Sequence, residues 1–203
     1  MKTIKVLFFL FSIFILSGCL PEFKNPLTDV GEQKLDGRLA GRWVKIGEEK
    51  NGIKRPDIYY NFALSENKQY YVVSSWKTNE GVRKNSKGLM HIHTSELKGQ
   101  RYMNVKPHDP TGKEKAKDYL ILKYTIEGDK MGFAISNIGP FREAVLNGKL
   151  KGDVPMRKLS DGTTAPSKYQ VKVTASQRKL QKYFSINDKK IFVGKLAYIE
   201  RFK

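Results

Sequence analysis

The sequence predicts a mainly β, β-rich α+β fold: an antiparallel barrel or strongly curved sheet of about eight or nine strands with two short helices. Three observations predict it. Apolar and polar residues alternate with a period of two in short segments separated by turn-forming stretches, as half-buried antiparallel strands require. Apolar residues make up 39% and aromatics 11% of the 203 residues, low for a globular chain but enough for a core and against wholesale disorder. No internal repeat of the kind that marks solenoids or propellers is visible.

The chain opens with Lys2 and Lys5, an apolar run over residues 6–16 interrupted by Ser12, and then Ser17 and Gly18. At roughly 1.5 Å per residue such a run spans about 16 Å as a helix, too short for a bilayer core of about 30 Å. Residues 1–18 are therefore expected to be a secretory signal peptide rather than a membrane span. Residues 19–36 contain Pro21, Pro26, Gly31 and several charges, and read as a flexible tether with a reach of roughly 55 Å. Residues 37–203 are expected to form a single globular domain.

Within that domain a strand is expected near residues 39–46. Ile58, Tyr60, Phe62 and Leu64 share one face of the next, and Tyr70, Val72 and Trp76 one face of the following strand. Further strands fall near 87–94, 101–106, 118–126 and 131–137, the last two joined through Gly128 and Asp129 as a hairpin. Tyr169, Val171 and Val173 alternate with polar residues, and residues 191–198 supply a closing strand. Gly139 and Pro140 open a short helix with Phe141, Ala144 and Val145 on its apolar stripe and Asn147 and Gly148 as its stop. Thr174 with Gln177 forms a capping box for a second helix, whose stripe is Leu180, Tyr183 and Phe184.

Leu16, Ser17, Gly18 and Cys19 resemble the lipobox of bacterial lipoproteins: a hydrophobic residue, two small residues and a cysteine after the apolar run. The resemblance implies that the Cys19 sulfur receives a diacylglyceryl group, that the signal peptide is cut just before it, and that the new amino terminus is acylated. Two or three chains make such an attachment stable where one is marginal. The same resemblance implies an outer-membrane address with the domain in the periplasm, because Leu20 is not the aspartate of an inner-membrane retention signal. Cys19 is the single cysteine, so the chain has no internal disulfide and no cysteine-based zinc site.

Gly41 and Trp43 form a Gly-x-Trp at the first strand, which resembles the opening motif of lipocalins and related ligand-binding barrels. Lys117, Asp118 and Tyr119 are similar to that family's second motif, with lysine in place of threonine. The order of elements departs from the family, because a helix near 141–148 falls between strands. The resemblance implies that Trp43 packs across the closed base of a barrel. Eight strands leave either a filled core or room for one small ligand. Tyr60, Tyr70 and Trp76 are the candidates to line such a pocket, and residues of this kind at strand spacing also serve as plain core or cross-strand pairs.

Catalytic constellations are scarce. His91 and His93 share one face of a strand at a spacing used by some metal sites, with His108 and Asp109 as further ligands if the fold brings them near. A polar exposed face explains the pair without a metal, and neither metal nor cofactor is expected. No Gly-x-Ser-x-Gly, His-Glu-x-x-His or phosphate-binding Gly-x-x-x-x-Gly-Lys run occurs.

The net charge is +18, and residues 142–203 carry 15 Lys and Arg against 5 Asp and Glu. Nucleic acid is the usual partner of a cytosolic chain of this charge, but export removes it. The anions left are lipid head groups and acidic envelope polymers. The expectation is a membrane-anchored envelope lipoprotein acting as a non-enzymatic binding or assembly module for anionic envelope components. A lipocalin-like carrier of a small apolar ligand and a metal-dependent hydrolase on His91 and His93 are the competing readings.

Overall fold

The computed structural model describes residues 20–46, 56–79, 82–84, 89–108, 118–194 and 196–203. The signal peptide, Cys19, Asp109 and Lys117 lie outside the described residues. In chain order the elements are β1 (Pro21–Phe23), β2 (Gly41–Ile46), β3 (Pro56–Leu64), β4 (Tyr71–Asn79), β5 (Val82–Lys84), β6 (Leu89–Leu97), β7 (Gln100–His108), β8 (Leu120–Glu127) and β9 (Lys130–Ile135). Then follow α1 (Ile138–Leu146), β10 (Gly152–Asp153), β11 (Met156–Lys158), β12 (Thr164–Pro166), β13 (Val171–Val173), α2 (Gln177–Ile191) and β14 (Ala197–Arg201).

Eight of these strands form a closed antiparallel barrel in the order β3-β2-β14-β9-β8-β7-β6-β4, with β3 and β4 sealing the ring. β5 extends β4 at one end. Closure leaves these eight strands without a free edge strand to recruit another chain. Two of the turns, at Lys98-Gly99 and at Gly128-Asp129, are two-residue hairpins. Lys98 and Gly99 both take positive φ, 50° and 74°, as a type I′ turn demands. Between Glu127 and Lys130 only Gly128 does, at 57°, which suits a type II′ turn.

The second layer covers the outer face of β6, β7 and β8. Here α1, α2 and a three-stranded sheet, in which β13 lies between β1 and β10, bury Phe23, Leu27, Phe141, Leu180 and Phe184 completely. Phe141 and Phe184 stand 5.4 Å apart, and Phe23 meets Phe141 edge-on at 5.0 Å. α1 is capped by Asn137, whose side chain accepts from the Gly139 N–H.

Three expectations are corrected here. Residues 20–36 are not a flexible tether: β1 runs parallel to β13, and Phe23, Leu27 and Thr28 are 0% exposed. Proline, glycine and charge marked this stretch as solvated, yet Phe23 and Leu27 find slots in the second layer. The cap of α2 is Ser176, not Thr174, and it makes no side-chain cap hydrogen bond. The last turn of α2 reaches Ile191, which is 0% exposed, so the closing strand starts at Ala197 rather than near 191. No helix among the described residues is long and apolar enough to cross a membrane.

A buried polar cluster fastens the amino-terminal segment to the barrel wall. Leu27 N donates to Asn104 Oδ1 at 2.7 Å, and Asn104 Nδ2 donates to Ser95 Oγ at 2.7 Å. The Thr28 and Ser95 hydroxyls meet at 2.6 Å, and His93 Nε2 lies 2.7 Å from Thr28 O. A carbonyl only accepts, so that nitrogen carries the proton. Burial holds the His93 imidazole below its ordinary pKa, outweighing the Thr28 carbonyl and the Asp29 and Glu32 carboxylates, which pull the other way.

Two predictions follow from this packing. Phe23→Ala should cost roughly 3–5 kcal/mol in denaturant unfolding, the scale of a buried aromatic; a tether residue would change stability by no more than about 0.5 kcal/mol. The unfolded chain protonates His93 near pH 6.5 and the folded chain resists it. Unfolding free energy is therefore expected to fall as pH drops from about 7 to about 5, and His93→Gln should flatten that slope, leaving the share of His91.

Candidate functional site

One end of the barrel is plugged. Leu39, Trp43, Tyr71 and Tyr124 fill it, each no more than 2% exposed. Trp43 Nε1 donates to Leu39 O at 2.8 Å, and the Arg201 guanidinium stacks 4.3 Å above the indole. Arg201 also donates to Ala40 O at 2.9 Å and Arg38 O at 2.6 Å, pinning the chain that enters β2. Gly41 is needed there: its φ is +109°, and a Cβ would lie 3.3 Å from Arg201 Nη1. Trp43 thus packs across the closed base, as the Gly-x-Trp resemblance implies.

The polar tips of the plug are satisfied by a single loop. Tyr71 OH donates to Asp36 O and Tyr124 OH to Asp36 Oδ2, both at 3.1 Å. Arg38 adds Nε at 2.8 Å and Nη2 at 2.6 Å to the same carboxylate, and these bonds hold Asp36 below the usual carboxylate range against the opposing effect of burial. Burial foremost, and then Asp36, push the Tyr124 hydroxyl up. A polar hollow of about 260 Å3 opens beside this loop, between Gln33, Arg38, Glu96 and Arg101. Two of its cations are answered from within: Arg38 pairs with Asp36 at 2.6 Å and Arg101 lies 3.6 Å from Glu96. We read it as part of the plug.

Above the plug the barrel is hollow. A cavity of about 110 Å3 is lined by Tyr60 and Phe62 of β3, Val73 and Ser75 of β4, Met90 and Ile92 of β6, and Met103 and Val105 of β7. Leu120 and Leu122 of β8, Met131, Phe133 and Ile135 of β9, Ile199 of β14 and Leu20 complete the wall. Among the described residues the hydroxyls of Ser75 and Tyr60 are the polar side-chain groups in this lining, and no ionisable acid or base other than Tyr60 takes part. Three methionines give the wall unbranched, polarisable side chains that adapt to the shape of a guest. A cavity of this size and polarity is of the order of an engineered void of about 150 Å3 that stays dry and binds benzene.

Of the predicted pocket residues, Tyr60 stands in the lining. Tyr70 and Trp76 do not: Tyr70 packs against His91 on the outside, centroids 4.6 Å apart, and Trp76 stacks on Tyr59 at 5.4 Å. The pairing of Leu64 with Tyr71 turns Tyr71, Val73 and Ser75 inward and sends the other parity out. Residues 70–73 are apolar on both parities, so alternation by itself does not choose the face. The missed lining residues Met131, Phe133 and Ile135 carried a readable signal in their period-two spacing. Leu20 carried none, because its place depends on the docking of β1.

His91 and His93 share the outward face of β6 but part company in their surroundings. His91 stacks on His108 with centroids 4.3 Å apart, whereas His93 is buried under residue 28. Burial, then His108 and Lys106, lower the His91 pKa. Among the described residues no group of three or more His, Cys, Asp or Glu side chains is placed to hold a metal ion.

No protein-family model, curated protein or solved structure matches this chain. The class that the geometry defines is an eight-stranded antiparallel barrel, plugged at one end by a tryptophan and hollow and apolar above it.

Proposed function

We propose that this chain is an envelope lipoprotein, anchored in the outer membrane through acyl chains on Cys19, whose periplasmic barrel is a non-enzymatic module binding a small apolar ligand or the end of an alkyl chain. The observation that carries the binding half is the cavity: its wall offers apolar contact and two hydroxyls, and among the described residues no acid, base and nucleophile set stands beside them. The lipobox resemblance of residues 16–19 supports the anchor, and the positive charge suits an anionic lipid surface, where each Lys or Arg is worth about 1 kcal/mol.

The size of the void bounds the ligand. Four buried methylenes gain roughly 3 kcal/mol at about 0.8 kcal/mol each, which falls short of a millimolar Kd at about 4 kcal/mol. A short apolar group is held weakly by the cavity alone, and useful occupancy needs either a long ligand that continues into the mouth or a high local concentration of chain ends.

Two outcomes test the proposal. A fluorescent alkyl probe should bind a secreted Cys19→Ser form, and Val105→Phe, which fills the cavity, should weaken it about tenfold or more without loss of stability. Unchanged binding would place the probe elsewhere. Radiolabelled palmitate should mark the wild-type protein in its host and disappear with Cys19→Ser; label that persists in the variant removes the anchor.

A further inference from the structure

We infer that the occupant of the barrel cavity carries a neutral oxygen, a hydroxyl or a carbonyl, that hydrogen-bonds the Ser75 side chain, so that the site selects weakly polar amphiphiles over plain hydrocarbons. The inference rests on the apolar-ligand reading and names the chemistry of that ligand. Ser75 lines the cavity and is 3% exposed, and among the described residues its hydroxyl has no hydrogen-bond partner. A buried hydroxyl is destabilising unless something bonds it, and the large majority in folded proteins are bonded. A ligand oxygen supplies that bond.

Position decides what the rest of the ligand must be. Tyr71 belongs to the plug, and Ser75 follows it by four residues on the same inward face of β4, roughly 13 Å along the strand at about 3.3 Å per residue. Val73 lies between them, paired with Phe62 on one side and with Met90 on the other. This depth of the wall is apolar, and all three side chains line the cavity. Tyr60, the partner of Ser75 on β3, brings the second hydroxyl to the same level. An apolar body therefore packs against Phe62, Val73 and Met90 while one oxygen meets Ser75. The described lining holds no cation, and burying an ionised carboxylate without one is costly. The charged head of an acid stays beyond this lining; a neutral oxygen enters it.

The probes are butan-1-ol and 1-chlorobutane, which share an alkyl chain and differ at the end, where chlorine is a poor hydrogen-bonding group. Each is titrated into the secreted Cys19→Ser protein with and without Ser75→Ala, and affinity is read from the methyl NMR signals of Met90 and Met103, both in the lining. Ser75→Ala should weaken butan-1-ol about fivefold, the scale of one neutral hydrogen bond, while 1-chlorobutane keeps its affinity within about twofold. Without either probe the Ser75→Ala protein should be no less stable than its parent, because the hydroxyl it loses has no partner among the described residues. Parallel weakening of both probes, undiminished binding of butan-1-ol, or a less stable variant overturns the role of Ser75 and leaves the cavity reading intact. If neither probe moves the interior signals of the parent, the cavity reading itself fails and this inference with it.

Discussion

The antiparallel closure of β14 is the constraint on which the molecule depends. The strand arrives after a long excursion through both helices, yet it pairs with β9 along residues 197–200 and with β2 through Glu200 and Arg201. That double pairing seals the ring and delivers Arg201 onto Trp43. Without it the meander from β2 to β9 would be an open, aromatic-rich sheet with two free edges, the arrangement that invites pairing with other chains. Closure and plug are therefore one event, since the strand that ends the barrel carries the cation that caps its base.

The excursion that precedes β14 does a second job. It folds back as a layer over the outer wall of β6, β7 and β8 and holds residues 20–28 between itself and the barrel. The cluster of Thr28, His93, Ser95 and Asn104 is buried and mutually hydrogen-bonded, so each polar group repays its desolvation only while the others are present. Tyr102 OH adds a further link, donating to Asp188 Oδ1 of α2 at 2.8 Å. The amino terminus thereby becomes part of the wall beside the start of β8, and the lining of the cavity gains Leu20.

Much of this fold was legible in the residues themselves. The Ile58, Tyr60 and Phe62 alternation placed the inner face of β3, Gly128 placed a hairpin, and Phe141 with Ala144 placed the buried stripe of α1. What stayed hidden depended on partners distant in sequence. Tyr70 and Tyr71 are equivalent to any local rule, and only the pairing of β3 with β4 sends one outward and one inward. Pro21, Pro26 and Gly31 look like linker punctuation until β13 offers Phe23 a neighbour 150 residues away. His91 and His93 are a metal-like pair by spacing, yet the Thr28 carbonyl separates their fates. The cavity itself is a difference between volumes, and no local pattern reports whether side chains fill a barrel or leave a void.

The central claim is that the interior above Trp43 is empty and admits the end of an alkyl chain. The methionine methyl groups report on it directly, because Met90, Met103 and Met131 line the cavity while Met156 is 60% exposed on the outer surface. With methyl-labelled methionine and a titration of a short-chain fatty acid followed by NMR, the three interior methyl signals are predicted to shift together and saturate while that of Met156 stays in place. Interior signals that do not move, or a response confined to Met156, would contradict the account.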